Sequence, residues 1–173
     1  YLSELKKWNR AINLTAIDDD REILVKHFID SVACLKVVDI NDKSELLDVG
    51  SGAGFPALPI KFVRPQLSVE LLEPSEKKGS FLRYVVGSLG LQGVTVATAK
   101  LEDYVNRINV QGRFDYIVVR AFKVDHLGVE LSALLKPGGK LVLYRAEKVG
   151  PRFGLTGLAL VEEVEYELPA KYG

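Results

Sequence analysis

Residues 50–54 read Gly50-Ser51-Gly52-Ala53-Gly54 and follow the apolar run Leu46-Leu47-Asp48-Val49. Glycines at this spacing let a chain reverse tightly after a buried strand. They also bring backbone N–H groups close to a ligand, with the N-terminus of the next helix behind them. Such a turn can equally serve packing alone. Here a strand precedes it, a helix follows it, and an acidic residue ends the next strand, which together favour a cofactor role. A dinucleotide fingerprint needs a small residue where this chain has bulky Phe55, and the Gly-Lys-Ser/Thr of a P-loop does not follow the turn. The remaining common ligand of this pattern is S-adenosylmethionine, expected at Gly50, Gly52 and Gly54.

Three further positions share that edge of the predicted sheet. Glu73 ends the second strand about 20 residues beyond the turn, where a carboxylate can accept bonds from ribose hydroxyls. Its bland alternative is a solvated strand-end glutamate. Leu101 and Glu102 follow the third strand, where an apolar side chain and an adjacent polar group suit an adenine ring and its amino edge, or simply a loop. Arg120 ends the fourth strand, and its guanidinium suits a carboxylate, a phosphate or a base. The alternative is a structural ion pair, with Asp115 as the nearby carboxylate.

Other chemistries are excluded by what the chain lacks. His27, His126 and Cys34 form no metal-ligand spacing, so no metal is expected. No G-x-S-x-G elbow is present. Cys34 sits on an apolar helical face and reads as core.

The elements that must hold these residues are legible from periodicity. Leu2, Leu5, Trp8 and Ile12 recur at helical spacing, and a second helix begins near Asp20 with Ile23, Leu24, Phe28, Ile29, Val32 and Leu35 on its apolar face. Strands are expected at 45–49, 68–72, 94–97, 116–119 and 140–144. Helices are expected at 57–63, 75–89 and 124–135, the last ended by Pro137-Gly138-Gly139. Val161 to Leu168 is the candidate sixth strand. This alternation implies an α/β fold, a mostly parallel twisted sheet with helices on both faces and a helical N-terminal extension over 1–40. Ligands of such sheets bind beyond the carboxyl ends of the strands. One domain over 1–173 is expected, with the cofactor-binding core at 45–173.

With these stretches in view, the chain resembles the bacterial small-subunit (16S) ribosomal RNA guanine-N7 methyltransferases, the glucose-inhibited division protein B family. The matching stretches are K-W-N-x-x-I-N-L-T, V-K-H-F-x-D-S, L-L-D-V-G-S-G-A-G-F-P, L-L-E with F-L-R, F-D-x-I-x-x-R-A, and L-K-P-G-G. The two N-terminal stretches are specific to the family, whereas many methyltransferases share the glycine turn. The resemblance implies a Rossmann-like class I methyltransferase fold. It places cofactor contacts at Gly50, Phe55, Leu101, Glu102 and Arg120, with Glu73 near the ribose, while the place of Arg120 at the ligand-binding end of the fourth strand makes it the expected catalytic residue. It also implies N7-methylguanosine and S-adenosylhomocysteine as products. Lys26, His27, Asp30, Ser31 and Arg145 are the expected RNA-facing residues. Ala57 stands where the family usually has glycine, Tyr144-Arg145-Ala146 replaces leucine-lysine-glycine, and the family's final antiparallel strand is expected to be missing.

The chemistry agrees with that resemblance. Guanine N7 carries a lone pair and no proton, so its methylation needs alignment and a suitable electrostatic site, not a general base. Exocyclic-amine methylation goes with N/D-P-P-Y/F/W after the fourth strand, where this chain has Arg120-Ala121-Phe122. Attack at cytosine C5 would need a placed cysteine.

Composition sets the outer bounds. The chain has 173 residues, 47% hydrophobic and 27% charged, with net charge +0 and no methionine. No apolar run approaches the roughly 20 residues of a bilayer span, and a single cysteine suits a reducing compartment, so a cytoplasmic monomer with no membrane partner is expected. A neutral chain binds RNA only by segregating charge, and Lys6, Lys7, Arg10, Lys26 and Arg120 are the expected basic surface. Ribosomal RNA or the small subunit is the expected partner. The competing readings are a small-molecule methyltransferase and a non-catalytic ribosome assembly factor.

Overall fold

Short apolar runs separated by amphipathic helices build one parallel sheet, because each helix returns the chain to the same edge. The computed structural model describes residues 1–121, 123–124, 126–150 and 153–169. Its strands are β1 (Glu45–Val49), β2 (Ser68–Leu72), β3 (Val94–Ala97), β4 (Phe114–Arg120) and β5 (Leu135–Tyr144). They lie in the order β3-β2-β1-β4-β5, all neighbours parallel. The order reverses at β1, so the crevice at the carboxyl ends of β1 and β4 is the switch point where such sheets take ligands.

Alternate side chains of each strand enter different cores, as a period of two requires. Leu46, Val69, Leu71 and Val118 pack with Leu5, Ile23, Leu58, Phe81 and Val85. Leu47, Val49, Leu72, Ile117 and Val119 pack with Leu101, Tyr104, Leu131 and Leu134 on the other face. Helices α1 (Leu2–Ile12), α4 (Ala57–Val63) and α5 (Glu76–Ser88) therefore cover one face, and α6 (Leu101–Tyr104) and α7 (Gly128–Leu134) cover the other. The expected Rossmann-like architecture is observed. Ser75 caps α5 by accepting from Lys78 N–H, a device worth about 1 kcal/mol.

The N-terminal extension holds α1 and a helical run over 20–36. That run comprises α2 (Asp20–Ile23), a widened π segment (Leu24–Ile29), α3 (Asp30–Val32) and a final 3-10 turn (Ala33–Lys36). Asp19 caps it, its carboxylate accepting from Glu22 N–H at 2.8 Å.

Three expectations need correction. Pro137-Gly138-Gly139 does not separate α7 from β5. Leu135 already pairs with Phe114 and Lys140 with Tyr116, so Lys136 to Gly139 loop out opposite Asp115. The expected helix over 124–135 is shorter, Gly128–Leu134, and Phe122 and Asp125 lie outside the described residues. Val161 to Leu168 forms no strand. It is held instead by side chains: Glu165 pairs with Lys148 at 3.0 Å, and the Glu163 carboxylate accepts from Val149 N–H at 2.7 Å.

Candidate functional site

β1 delivers the chain to the glycine turn at the carboxyl edge. Gly50 N–H and Ser51 N–H both donate to Leu72 O, at 2.9 and 3.1 Å, which folds the turn over the end of β2. Gly50, Gly52 and Gly54 have φ of 74°, 57° and 89°, in the left-handed region that glycine enters at least cost. The environments of the last two differ. A Cβ on Gly54 would sit 2.5 Å from Leu58 Cδ1 and 2.8 Å from the Tyr1 hydroxyl, whereas a Cβ on Gly52 would meet only Gly50 O at 3.8 Å. Gly54 is thus required for packing, and Gly52 leaves an open approach to the backbone.

Two buried carboxylates flank the turn. Glu73 is 4% exposed, accepting from Gly52 N–H at 2.8 Å and from Ser75 N–H at 2.9 Å. It braces the turn while each oxygen keeps a further lone pair. Asp48, fully buried, accepts from Ala57 N–H at 3.4 Å through Oδ2, and its Oδ1 has no partner. Burial pushes its carboxyl up to about 7, against the opposing pull of the Ala57 bond and of Arg120.

Arg120 closes the other side. Its Nη1 donates to Lys26 O at 3.1 Å and to Asp30 Oδ2 at 3.0 Å, and its Nη2 lies 3.3 Å from His27 Nδ1. The guanidinium carbon stands 5.3 Å above the Phe55 ring centroid, a cation–π distance. His27 stacks on the same ring at 5.0 Å, and burial together with Arg120 lowers its pKa. Ala121, next in the chain, is left-handed at φ 55°, a strained conformation of the kind that gathers at functional sites.

The extension reaches this point through its own turn. Asn13 ends α1 in the left-handed region. Asn9 Oδ1 accepts from Leu14 N–H at 2.6 Å and from Thr15 N–H at 2.8 Å, and its Nδ2 donates to Thr15 O at 2.9 Å. Thr15 Oγ1 lies 2.7 Å from His27 Nε2. Asp30 Oδ1 also accepts from the Tyr166 hydroxyl at 2.6 Å.

Gly50, Gly52, Gly54, Phe55, Glu73, Arg120, Lys26, His27 and Asp30 thus converge on the carboxyl edge of β1, β2 and β4. Leu101 is 3% exposed, packed in the core that holds the ends of β2 and β3, and Glu102 is exposed on the first turn of α6. Ser31 is fully buried. Its hydroxyl donates to His27 O and its carbonyl accepts from the Tyr144 hydroxyl, so it braces the helical run and presents no side chain to a partner. Arg145, exposed one residue beyond β5, lies over the Phe153 ring at 5.0 Å.

Two expectations about charge change. The carboxylate paired with Arg120 is Asp30, whereas Asp115 serves Lys136 Nζ and Glu45 N–H, each at 2.8 Å. The basic surface is largely compensated: Lys6 pairs with Asp20, Lys7 with Glu4, and Lys26 with Glu22. Arg120 has only 15% of its side chain exposed.

Asp48, Asn9, Thr15 and Tyr166 were not among the expected site residues. Asp48 carried a readable signal, since a carboxylate inside an apolar strand is rarely buried without purpose. Asn9 and Thr15 lay inside a quoted motif, but nothing local shows what they hold. Cys34 is buried and its thiol pushed up by burial, as a core residue should be. Among the described residues no cluster of three or more metal-ligating side chains occurs, and no helix is long and apolar enough to cross a membrane.

Comparison with known proteins bears on this geometry. A family model described as rRNA small subunit methyltransferase G matches residues 1–151. The chain is 40% identical over 151 residues to ribosomal RNA small subunit methyltransferase G of Desulforamulus reducens. It is 44% identical over 152 residues to that of Pelotomaculum thermopropionicum. These matches cover 87% and 88% of the chain and 62% of each relative, so the chain spans under two thirds of their length. A crystal structure of coclaurine N-methyltransferase bound to N-methylheliamine and SAH superposes with a TM-score of 0.57 at 18% identity, covering 76% of this chain and 37% of that one.

Proposed function

Because the chain belongs to the rRNA small subunit methyltransferase G family, we propose that it binds S-adenosylmethionine at the carboxyl edge of β1, β2 and β4 and methylates guanine N7 in 16S ribosomal RNA. The observation that carries this reading is the Gly52–Glu73 bond at 2.8 Å. It joins the turn to the carboxylate at the end of β2 while the Cβ side of Gly52 stays open. The orphaned Asp48 Oδ1 beside that turn is a buried acceptor awaiting a donor, which an ammonium group would satisfy.

In this reading Gly50, Gly52 and Gly54 admit the cofactor close to backbone, Glu73 accepts from its ribose, and Leu101 and Glu102 meet its adenine. S-adenosylmethionine supplies an electrophilic sulfonium methyl group when bound. Arg120 and Phe55 border the crevice and orient what enters it. Among the described residues Arg120 uses three of its five N–H donors, and the others remain for a carboxylate or a base. Guanine N7 has no proton to remove, which fits a site whose histidine is hydrogen-bonded on both ring nitrogens and offers neither to a substrate proton. Lys26 and Arg145 are exposed at the same edge and would meet RNA phosphates, Lys26 by exchanging its Glu22 partner for one. The protein acts as a cytoplasmic monomer on naked RNA or the small subunit.

The test is methylation of small-subunit RNA and of assembled subunits by the purified chain with labelled S-adenosylmethionine, followed by mapping of the modified base. N7-methylguanosine is expected. Cofactor binding with no methylation of either substrate would favour an assembly role, and methylation of small molecules alone would overturn the RNA assignment.

A further inference from the structure

The Asn9–Thr15–His27–Arg120 chain of contacts ties the first N-terminal motif to the end of β4. Arginine can only donate, so the His27 nitrogen 3.3 Å from Arg120 Nη2, Nδ1, must present a lone pair. The single proton of the neutral ring is then on Nε2, which donates to Thr15 Oγ1 at 2.7 Å. That oxygen also accepts from Ile17 N–H at 3.1 Å, so both of its lone pairs are used. The opposite tautomer would set two donors against each other. Which nitrogen of a histidine carries the proton is set by the bond its other nitrogen makes, and here Arg120 makes that bond at Nδ1 while Thr15 receives the Nε2 proton. Asn9 in turn sets Thr15, using an acceptor for two N–H groups and a donor for one carbonyl.

We infer that Asn9 and Thr15 are positioning residues for Arg120: Thr15 Oγ1 anchors the His27 Nε2–H and so fixes the ring, and the Nδ1 lone pair holds one arm of the guanidinium in place above Phe55. The inference rests on the methyl-transfer reading for its effect on turnover, but the tautomer itself stands apart from it. A shift of the guanidinium at the crevice is the kind of small misplacement that slows a reaction governed by alignment.

The test is a two-bond 1H–15N spectrum of the imidazoles in the full chain. Only His27 and His126 contribute, so His126→Gln assigns the signals. The wild type should show His27 protonated on Nε2 alone. Thr15→Val, of nearly the same shape, removes the acceptor of Nε2–H and should shift the His27 ring nitrogen signals, and Thr15→Ser should restore them. In methylation assays Thr15→Val should lower kcat/KM about tenfold and Thr15→Ser should recover it. A wild-type His27 protonated on Nδ1 overturns the inference with no variant needed. So does Thr15→Val with unchanged His27 ring nitrogen signals, or with shifted signals and unchanged turnover. If the wild type binds no S-adenosylmethionine and methylates nothing, the proposed function fails, and the spectrum alone decides the tautomer.

Discussion

Arg120 Nη1 donates to Asp30 Oδ2 at 3.0 Å, joining the last residue of β4 to the helical run that precedes the sheet. The two side chains are 15% and 17% exposed, so the pair is mostly shielded from solvent. Leaving one partner unpaired in such a place costs more than breaking a surface pair. Arg120→Ala should therefore lower stability by about 1–3 kcal/mol, most of it coupled to Asp30. A double-mutant cycle with Asp30→Ala measures this directly, and a coupling near zero would show that the contact carries no energy. Arg120→Lys keeps the charge but cannot reach Asp30, Lys26 O and His27 together, so it should fold and still turn over more slowly.

The glycine turn separates packing from ligand approach. Gly54→Ala places a Cβ against Leu58 and the Tyr1 hydroxyl at a left-handed φ, and should destabilise the chain by about 2 kcal/mol or more. Gly52→Ala meets open space, so its cost is about 1 kcal/mol of backbone strain. Gly52→Val should abolish S-adenosylmethionine binding while the chain remains folded. Calorimetry beside thermal melts distinguishes the two positions, and equal losses of stability would remove the distinction.

Asp48 makes stability depend on pH. Burial raises its carboxyl from 3.8 to about 7 in the folded chain. Between those values the folded chain keeps a proton that the unfolded chain has released. The stabilisation is therefore complete below about pH 4, falls as pH rises to about 7, and changes no further above that. Asp48→Asn is neutral throughout and lacks this slope. Its melting temperature relative to wild type should rise between about pH 4 and about pH 7. Parallel curves over that range would mean that Asp48 is ionised as an ordinary carboxylate.

Glu73 accepts two backbone N–H bonds with separate oxygens. Glu73→Gln keeps one acceptor and sets an amide donor against the other N–H group. The expected result is a loss of about 1–2 kcal/mol in stability and about tenfold weaker S-adenosylmethionine binding, read by calorimetry. Unchanged affinity in the folded variant would remove Glu73 from the cofactor site.

Local pattern alone was enough for most of the architecture. The five strands, the helix from Ser75 and the glycine turn follow from periodicity, caps and breakers, which act within a few residues of chain. The contacts of the site follow other rules. Asp115 is the carboxylate nearest to Arg120 along β4, yet at about 3.3 Å per strand residue it lies roughly 17 Å away, at the opposite end of the sheet. Asp30, 90 residues distant in sequence, becomes the partner because the helical extension packs beside the end of β4. Val161 to Leu168 shows the converse: a sequence that alternates like a strand forms none without a partner edge to supply its hydrogen bonds. Residue types and spacing were sufficient to mark the turn, Glu73 and Arg120. Only the tertiary structure decides which groups neutralise, orient and bury them, since those interactions join segments that no local pattern connects.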